Sequence, residues 1–233
     1  TTGLIVLLLS ISGALYAFRD ELFELLKHDY IHLKEDGKKL LPLAELWETA
    51  QKNASDGVEY QHLVKSNDPL KSWCFIGYHD NHNSWHYFAN VDYYENIYIN
   101  PYTGTVIGKI DMKYEFFELV KGFHYSFWLT KEIGQQLTGW SVFVFFLSLL
   151  TGIYLWVKSK NPLRKKLTVK WKSGTKRVNF DLHNTIGIYA SVFGLVFSFT
   201  GLVIAFQWFM SIVYVVVNMS ITPPSEMIVN SKE

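Results

Sequence analysis

Asn179–Phe206 reads NFDLHNTIGIYASVFGLVFSFTGLVIAF, and this stretch dominates the organisation of the chain. Asn179 is interpreted as a polar cap, and His183 stands at the start of a long apolar run. The positions on the helical face of His183 are all small: Gly187, Ala190, Ser191, Gly194, Ser198, Gly201 and Ala205. Such a face lets a flat or bulky group approach the helix backbone beneath an imidazole, and ordinary helix packing is the competing interpretation.

Three segments lack charged residues, and each is predicted to cross a membrane: Thr1–Phe18, Leu137–Val157 and Thr185–Asn218. A span needs about 20 apolar residues. The first segment is slightly short, so we interpret it as a span clipped at its N-terminus. The third segment stays apolar to Met219 and is longer than a bilayer requires. Its end, from about Gln207, is therefore predicted to project or bend.

Charge predicts the orientation of these spans. Nine basic residues and no acidic residue lie between Val157 and Asp181: Lys158, Lys160, Arg164, Lys165, Lys166, Lys170, Lys172, Lys176 and Arg177. The positive-inside rule assigns this segment to the cytoplasm. Residues 19–136 carry 12 basic and 18 acidic residues and are predicted to lie outside. Because topology explains the basic segment, no nucleic-acid partner is predicted.

The outer segment is predicted to be a small α+β domain with one helix on an antiparallel sheet. Pro42–Asn53 has proline in a first-turn position and an apolar stripe, which is typical of a short amphipathic helix. Strands are predicted at Tyr60–Val64, Ser72–Tyr78, His86–Val91, Tyr93–Ile99 and Thr105–Ile110. The sequence Asn100-Pro101-Tyr102-Thr103-Gly104 predicts a hairpin turn. Cys74 is the single cysteine, so neither an internal disulfide nor a CxxC site is available.

Four further histidines in the outer segment are candidate ligands. His79, His82 and His86 form an H-x2-H-x3-H set that could bind zinc or copper, and unpaired polar residues in a loop are the competing interpretation. His124 precedes the second span and is flanked by aromatic residues, which suit the outer membrane interface.

The three spans share a small hydroxyl residue followed by glycine, at Ser12-Gly13, Thr151-Gly152 and Thr200-Gly201. The hydroxyl can bond within its own helix, and glycine allows close backbone contact. When the spans are aligned on these glycines, the counterpart of His183 in the first span falls before Thr1. We therefore expect its partner histidine to lie outside this sequence.

These pieces resemble the PepSY-associated transmembrane proteins, which include iron-regulated inner-membrane proteins and haem-containing siderophore reductases. The matching motifs are the [ST]-G span ends, Asn100–Gly104 with Val106, Phe123-His124 with Ile133-Gly134, and Asp181-Leu182-His183-Asn184 with Gly187. The similarity covers nearly the whole chain. Family members usually have a fourth span and a histidine before the first, so both are expected to be missing by truncation.

The resemblance implies a mostly α membrane protein with three transmembrane helices and a PepSY-like α+β domain between the first two. It implies one or two b-type haems, with His183 as ligand of an inner haem beside Gly187, Gly194 and Gly201, and His124 as ligand of an outer one. Electrons from an unidentified donor would then reach a ferric siderophore or another ferric chelate at the periplasmic face of the bacterial inner membrane. The sequence itself predicts no catalytic residue.

The expected division is 1–18, 137–157 and 183–219 for the membrane helices, 19–136 for the outer domain, 158–182 for a cytoplasmic loop and 220–233 for an outer tail. The alternative function is non-enzymatic, with the outer domain regulating or sensing a periplasmic peptidase or another partner. The sequence contains no glycine-rich nucleotide loop, Ser/His/Asp set or zincin motif, so flavin or nicotinamide chemistry would come from another protein.

Overall fold

The computed structural model describes residues 2–34, 39–160 and 162–219. The predicted outer tail, 220–233, lies outside these residues. The chain divides into two compact units. The sheet unit comprises residues 7–135, and the helical unit comprises residues 2–6 and 136–219. Helices in the described residues are α1 (Thr2–Ala17), α2 (Arg19–Leu26), α3 (His28–Ile31), α4 (Leu43–Lys52), α5 (Tyr87–Asn90), α6 (Phe116–Ser126), α7 (Lys131–Lys158), α8 (Leu163–Lys166), α9 (Thr175–Ala205) and α10 (Gln207–Asn218).

The sheet unit is built on a four-stranded antiparallel meander. Its strands follow chain order: β1 (His62–Val64), β2 (Trp73–Asp80), β3 (Val91–Ile99) and β4 (Val106–Asp111). The predicted hairpin turn joins β3 to β4, where the Gly104 N–H donates to the Asn100 carbonyl at 2.9 Å. Gly104 has a φ of +70°, a left-handed conformation that glycine adopts without a steric penalty.

Both faces of the sheet are covered, because successive strand residues point to opposite sides. On one face α4 packs Leu46 and Ala50 against Phe75 and Ile97, a directly opposed pair in β2 and β3. The other face holds a second core to which α2 contributes Phe23 and α6 contributes Phe117; its buried members are Phe23, Tyr98, Ile110, Met112 and Phe117. The sequence predicted a helix on one face of the sheet only, whereas helices cover both faces. The second of these layers positions α6.

The predicted strand His86–Val91 is wrong. Residues Tyr87–Asn90 form the one-turn helix α5, and β3 begins immediately afterwards at Val91. His86 caps α5, since its Nδ1 accepts a hydrogen bond from the Ala89 N–H at 3.3 Å. A side-chain cap at the first position outweighs the aromatic β-propensity of this short run.

In the helical unit, α7 and α9 are long and apolar enough to cross a membrane. Helix α1 meets the same criterion only together with α2, and the two are bent by 53° at the break between them. The described residues therefore provide two candidate spans, or three if the bent pair is one span. The protein is mostly helical, with a small sheet.

The start of α9 differs from the prediction, and its end does not. The helix already begins at Thr175, so Asn179 lies inside it and is not a cap. Part of the predicted loop 158–182 is accordingly helical, in α8 and the start of α9. At the other end, Phe206 is extended and α10 starts at Gln207, so the helix is interrupted at the position from which the sequence predicted a projection or bend.

Candidate functional site

His124 lies in α6 and contacts α1. Its Nδ1 is 2.9 Å from the backbone carbonyl oxygen of Leu9 and 3.2 Å from Oγ of Ser12. A carbonyl oxygen only accepts, so this bond requires the proton to reside on Nδ1. The neutral imidazole then presents an unprotonated Nε2, which is the form that a metal ion binds.

Gly13 makes room for this imidazole. A Cβ atom at position 13 would lie 2.8 Å from Cε1 of His124, closer than non-bonded carbon atoms approach. The glycine of the first predicted Ser-Gly pair therefore accommodates the histidine ring. The contact joins residues that are over a hundred positions apart in the chain, so spacing alone could not reveal it.

Burial lowers the pKa of the His124 imidazole below its ordinary value of 6.5, and the hydrogen bond to Leu9 opposes part of that shift. The imidazole is thus neutral at neutral pH. Neutrality preserves the Nε2 lone pair and matches the requirement of a metal ligand.

The end of α6 is held by an unusual reversal. Phe127 and Trp128 both have left-handed backbones, with φ of 53° and 59°, which non-glycine residues rarely adopt. The indole N–H of Trp128 donates to the Leu119 carbonyl at 2.7 Å, and the Tyr87 N–H donates to the Trp128 carbonyl at 2.7 Å. These bonds fix the end of the helix that carries His124.

His183 lies in the third turn of α9 and is exposed. Gly187 follows one turn later. A Cβ atom added there would have no described atom within 4 Å, apart from the backbone of α9 and the residues next to Gly187. Further along, the Cβ positions of Gly194 and Gly201 are 3.0 Å from Leu149 and 3.9 Å from Val142 of α7. The small-residue face is therefore open beside His183 and packed against α7 farther along.

The three Ser/Thr-Gly pairs are alike in one respect and differ in another. Their hydroxyls bond within their own helices as predicted, with Ser12, Thr151 and Thr200 at 2.9–3.0 Å from the carbonyl four residues earlier. Their glycines have different surroundings. Gly13 contacts a histidine and Gly201 contacts α7, whereas no described atom outside the helix's own nearby backbone and the chain neighbours lies within 4 Å of the Cβ position of Gly152.

The residues on either side of His183 hold the basic segment in place. Buried Asp181 accepts from Arg177 Nε at 3.1 Å and from the Lys170 backbone N–H at 3.2 Å. The Asn184 side-chain amide donates to the Lys166 carbonyl at 2.8 Å. Sequence reasoning missed this clamp. A signal for it was present, because Asp181 is the first acidic residue after nine basic ones.

Lys166 completes the clamp. It is buried, and its ammonium group donates to the Trp156 carbonyl at 2.6 Å and lies 4.7 Å from the centre of the Trp156 ring. A lysine so placed satisfies a carbonyl at the end of α7 and gains a cation–π contact. The end of α7 and the start of α9 are thus joined through Lys166.

The outer histidines do not converge. His79 Nδ1 lies 2.9 Å from Asp92, His82 Nε2 lies 3.0 Å from Asp80, and His86 caps α5. Within residues 2–34, 39–160 and 162–219, no three His, Cys, Asp or Glu side chains are placed to hold a metal ion. The structure brings each histidine to a different polar partner.

Comparison with known families decides the relationship of the chain. The family model of the PepSY-associated TM region matches residues 1–230. The chain belongs to this family. The resemblance predicted from the NPYTG and DLHN motifs is confirmed, and a PepSY-associated chain with apolar helices of this length is a membrane protein. None of the curated proteins compared with it matches.

Proposed function

We propose that the protein binds haem b and transfers electrons across the bacterial inner membrane. Its acceptor would be a ferric siderophore or another ferric chelate on the periplasmic side. His124 and His183 are the proposed axial ligands of an outer and an inner haem.

The observation that carries this proposal is the hydrogen bond from His124 Nδ1 to the Leu9 carbonyl. Metal-ligating histidines commonly donate their second ring N–H to a backbone carbonyl, which fixes the tautomer and the ring orientation. The packing of Gly13 against the ring restrains it further. An imidazole with an unprotonated Nε2, prepositioned in this way, suits an axial haem ligand.

His183 fits the same function with a different environment. Its imidazole is exposed, and the adjacent Gly187 leaves open space along the helix. Gly194 and Gly201 contact side chains of α7, so we assign them to helix packing and assign Gly187 to the haem face. The clamp at Asp181 and Asn184 holds the helix turn that carries His183.

Bound haem would supply reversible one-electron redox chemistry. Each histidine would position one haem, and burial around His124 would tune the potential of the outer haem. The basic segment favours a cytoplasmic location for His183, and a crossing of the membrane by α7 would put His124 on the outer side. Electrons would pass outward from a donor that is yet to be identified.

Reduced-minus-oxidised absorption spectra test the proposal, measured on purified protein that is expressed with added haem and includes any native residues flanking this sequence. We expect haem Soret and α bands in the parent protein and a loss of α-band amplitude per protein in His124→Ala and in His183→Ala. His82→Ala is the matched control, because His82 is an exposed histidine of the sheet unit. Added imidazole should restore the spectrum of His124→Ala if the residue acts as a ligand rather than as packing.

The alternative function makes the opposite prediction. If the PepSY-like sheet unit regulates a periplasmic peptidase and the helices only anchor it, haem bands will be absent. Replacement of either histidine will then leave partner binding unchanged. A parent protein without haem bands would overturn the electron-transfer proposal.

A further inference from the structure

Three segments that meet on the sheet unit carry six aromatic side chains, which we call the aromatic surface: Trp85, Phe88, Tyr114, Phe116, Phe123 and Trp128. Phe88 joins the segments, since its ring centre lies 6.0 Å from that of Trp128 and 6.2 Å from that of Tyr114. Trp128 in turn lies 5.0 Å from Phe123. The rings of Tyr114, Phe88, Trp128 and Phe123 are thus neighbours in a row, and Phe116 lines one apolar groove with Phe123 and Trp128.

Backbone pairing holds this surface together. His86 forms a β-bridge with Leu129, and the Thr130 N–H donates to the Trp85 carbonyl at 2.9 Å. These bonds dock the segment before α5 on the segment after α6. The position of Trp85 beside the end of α6 is therefore fixed by main-chain hydrogen bonds.

Much of the aromatic surface is exposed. Trp85 is 64 % exposed, and Tyr114 and Phe116 are each 58 % exposed. Single exposed apolar residues are common, whereas a contiguous exposed patch of large rings indicates a surface that contacts a partner or a membrane.

The aromatic surface is continuous with α1. An apolar groove of about 370 Å³ is lined by Leu8, Ile11, Ser12 and Leu15 of α1, by Phe116, Leu119, Val120 and Phe123 at α6, and by Trp128. The charge-free helix α1 supplies side chains that need an apolar solvent. The exposed rings therefore extend an apolar face that begins on a candidate membrane helix.

We infer that the aromatic surface lies in the headgroup region of the lipid bilayer and seats the sheet unit on the membrane. Tryptophan and tyrosine favour this depth because their rings are apolar and their N–H and O–H groups are polar. Phe116 and the groove beside it would contact the start of the acyl chains. Lys113 flanks the surface, with Nζ 5.5 Å from the centre of the Tyr114 ring, and can reach lipid phosphates.

Local backbone geometry places one ring of this surface. The paired left-handed residues Phe127 and Trp128 turn the chain so that the Trp128 indole folds over α6. Seating the sheet unit also sets the depth of α6 relative to the bilayer. The inference concerns lipid contact alone and does not depend on haem binding.

Quenching of a fluorescent label tests the inference on the full chain in vesicles of phosphatidylcholine and phosphatidylglycerol. Trp85→Cys, Tyr114→Cys and Phe116→Cys would each carry a thiol-reactive NBD group, and three positions keep the test valid if one variant fails to fold. The natural Cys74 is a suitable background, because burial raises the pKa of its thiol to about 12 and slows labelling. The unsubstituted protein measures what remains of that labelling.

Thr103→Cys is the matched control. Thr103 is exposed in the β3–β4 turn, at the opposite end of β3 from α5. The nine residues of β3 separate the two ends by about 30 Å. Two quenchers are compared, a lipid with a nitroxide on its headgroup and iodide in the water.

We expect the nitroxide lipid to quench the label at positions 85, 114 and 116 severalfold more strongly than at position 103, and iodide to show the reverse order. Equal access of iodide to all positions would overturn the inference, because the surface would then face water. Protection from both quenchers would also overturn it, since another protein segment or a second copy of the chain would then cover the rings.

Discussion

The sheet unit and the helical unit differ in what surrounds their large apolar side chains. In the sheet unit, Phe75, Ile97 and Leu46 are fully buried by other parts of the protein. In the helical unit, only 6 % of the most apolar stretch of α7 and 17 % of that of α9 is buried. Large side chains such as Phe197 point away from the protein.

The difference shows which solvent each unit requires. Burial of one large apolar side chain contributes about 1.5–3 kcal/mol, and the sheet unit obtains this from its own core. The helices obtain it from lipid, so protein contacts matter only where backbones approach closely. Gly139 is such a place, because its Cβ position lies 2.8 Å from the Phe206 ring and 3.1 Å from Ala205.

The largest expected contrast is between two phenylalanines. Phe75→Ala removes a fully buried ring and should lower the opening free energy of the sheet by about 3–5 kcal/mol. Phe197→Ala, at a side chain that is 71 % exposed, should change stability by less than about 0.5 kcal/mol. Hydrogen exchange at amides of β2, β3 and α9 in nanodiscs measures both. A large loss from Phe197→Ala would mean that protein, and not lipid, covers this face of α9.

The next effect concerns the clamp of the basic segment. Asp181→Ala removes a buried carboxylate that accepts from Arg177 and from the Lys170 backbone. Hydrogen bonds to a charged group contribute about 1.5–3 kcal/mol, and the lower end applies here because Arg177 is half-exposed. Trypsin should cleave after Lys170 and Lys172 severalfold faster than in the parent protein. Asp181→Asn keeps an acceptor and should give an intermediate rate, whereas equal rates in all three would mean that the clamp does not restrain the segment.

Two glycines sharpen the comparison between the units. Gly13→Ala places a methyl group against the His124 ring, which introduces about 1–3 kcal/mol of overpacking. In the haem-free protein, Gly187→Ala adds its methyl group to open space and should stabilise the helix by about 1 kcal/mol through propensity alone. Thermal unfolding in nanodiscs should therefore move in opposite directions. Stabilisation by both substitutions would contradict the contact between α1 and His124.

The smallest effect is electrostatic and lies on the exposed side of the sheet unit. Glu24 accepts from Lys71 at 2.6 Å and from His32 at 2.8 Å, and these two hydrogen bonds, with that of Lys71 the larger cause, hold the pKa of the carboxyl below its ordinary value of 4.5. A carboxylate with a lowered folded pKa stabilises the fold above pH 4.5, and this stabilisation is lost as the pH falls through the folded value. Lys71→Met should raise the pKa of Glu24 in an NMR titration. An unchanged midpoint would show that the ion pair does not form in solution.

Local signals predicted much of this fold. Charge-free length indicated α7 and α9, Pro42 marked the start of α4, and the NPYTG turn marked the hairpin. The excess apolar length of the third segment indicated the break before Gln207. Each of these rests on residues that are close in sequence, and composition reports such features directly.

The wrong predictions have local causes as well. Asn179 was interpreted as a cap because a polar residue precedes an apolar run. The helix in fact begins four residues earlier, and Thr175–Val178 form its first turn. The strand expected at His86–Val91 is a single helical turn, in which the His86 ring accepts the Ala89 N–H. Patterns of a few residues do not distinguish these outcomes, since helix ends shift by a residue or two without a change in the local pattern.

The sequence by itself determined that this is a membrane chain of the PepSY-associated family, because apolar length and short motifs are properties of consecutive residues. Only the tertiary structure decided what the small residues do. Gly13 faces the His124 ring, Gly187 faces open space and Gly194 faces Leu149, although all three are glycines in apolar helices. The physical reason is that a glycine makes space without specifying what enters it, and the neighbour that enters comes from a distant part of the chain.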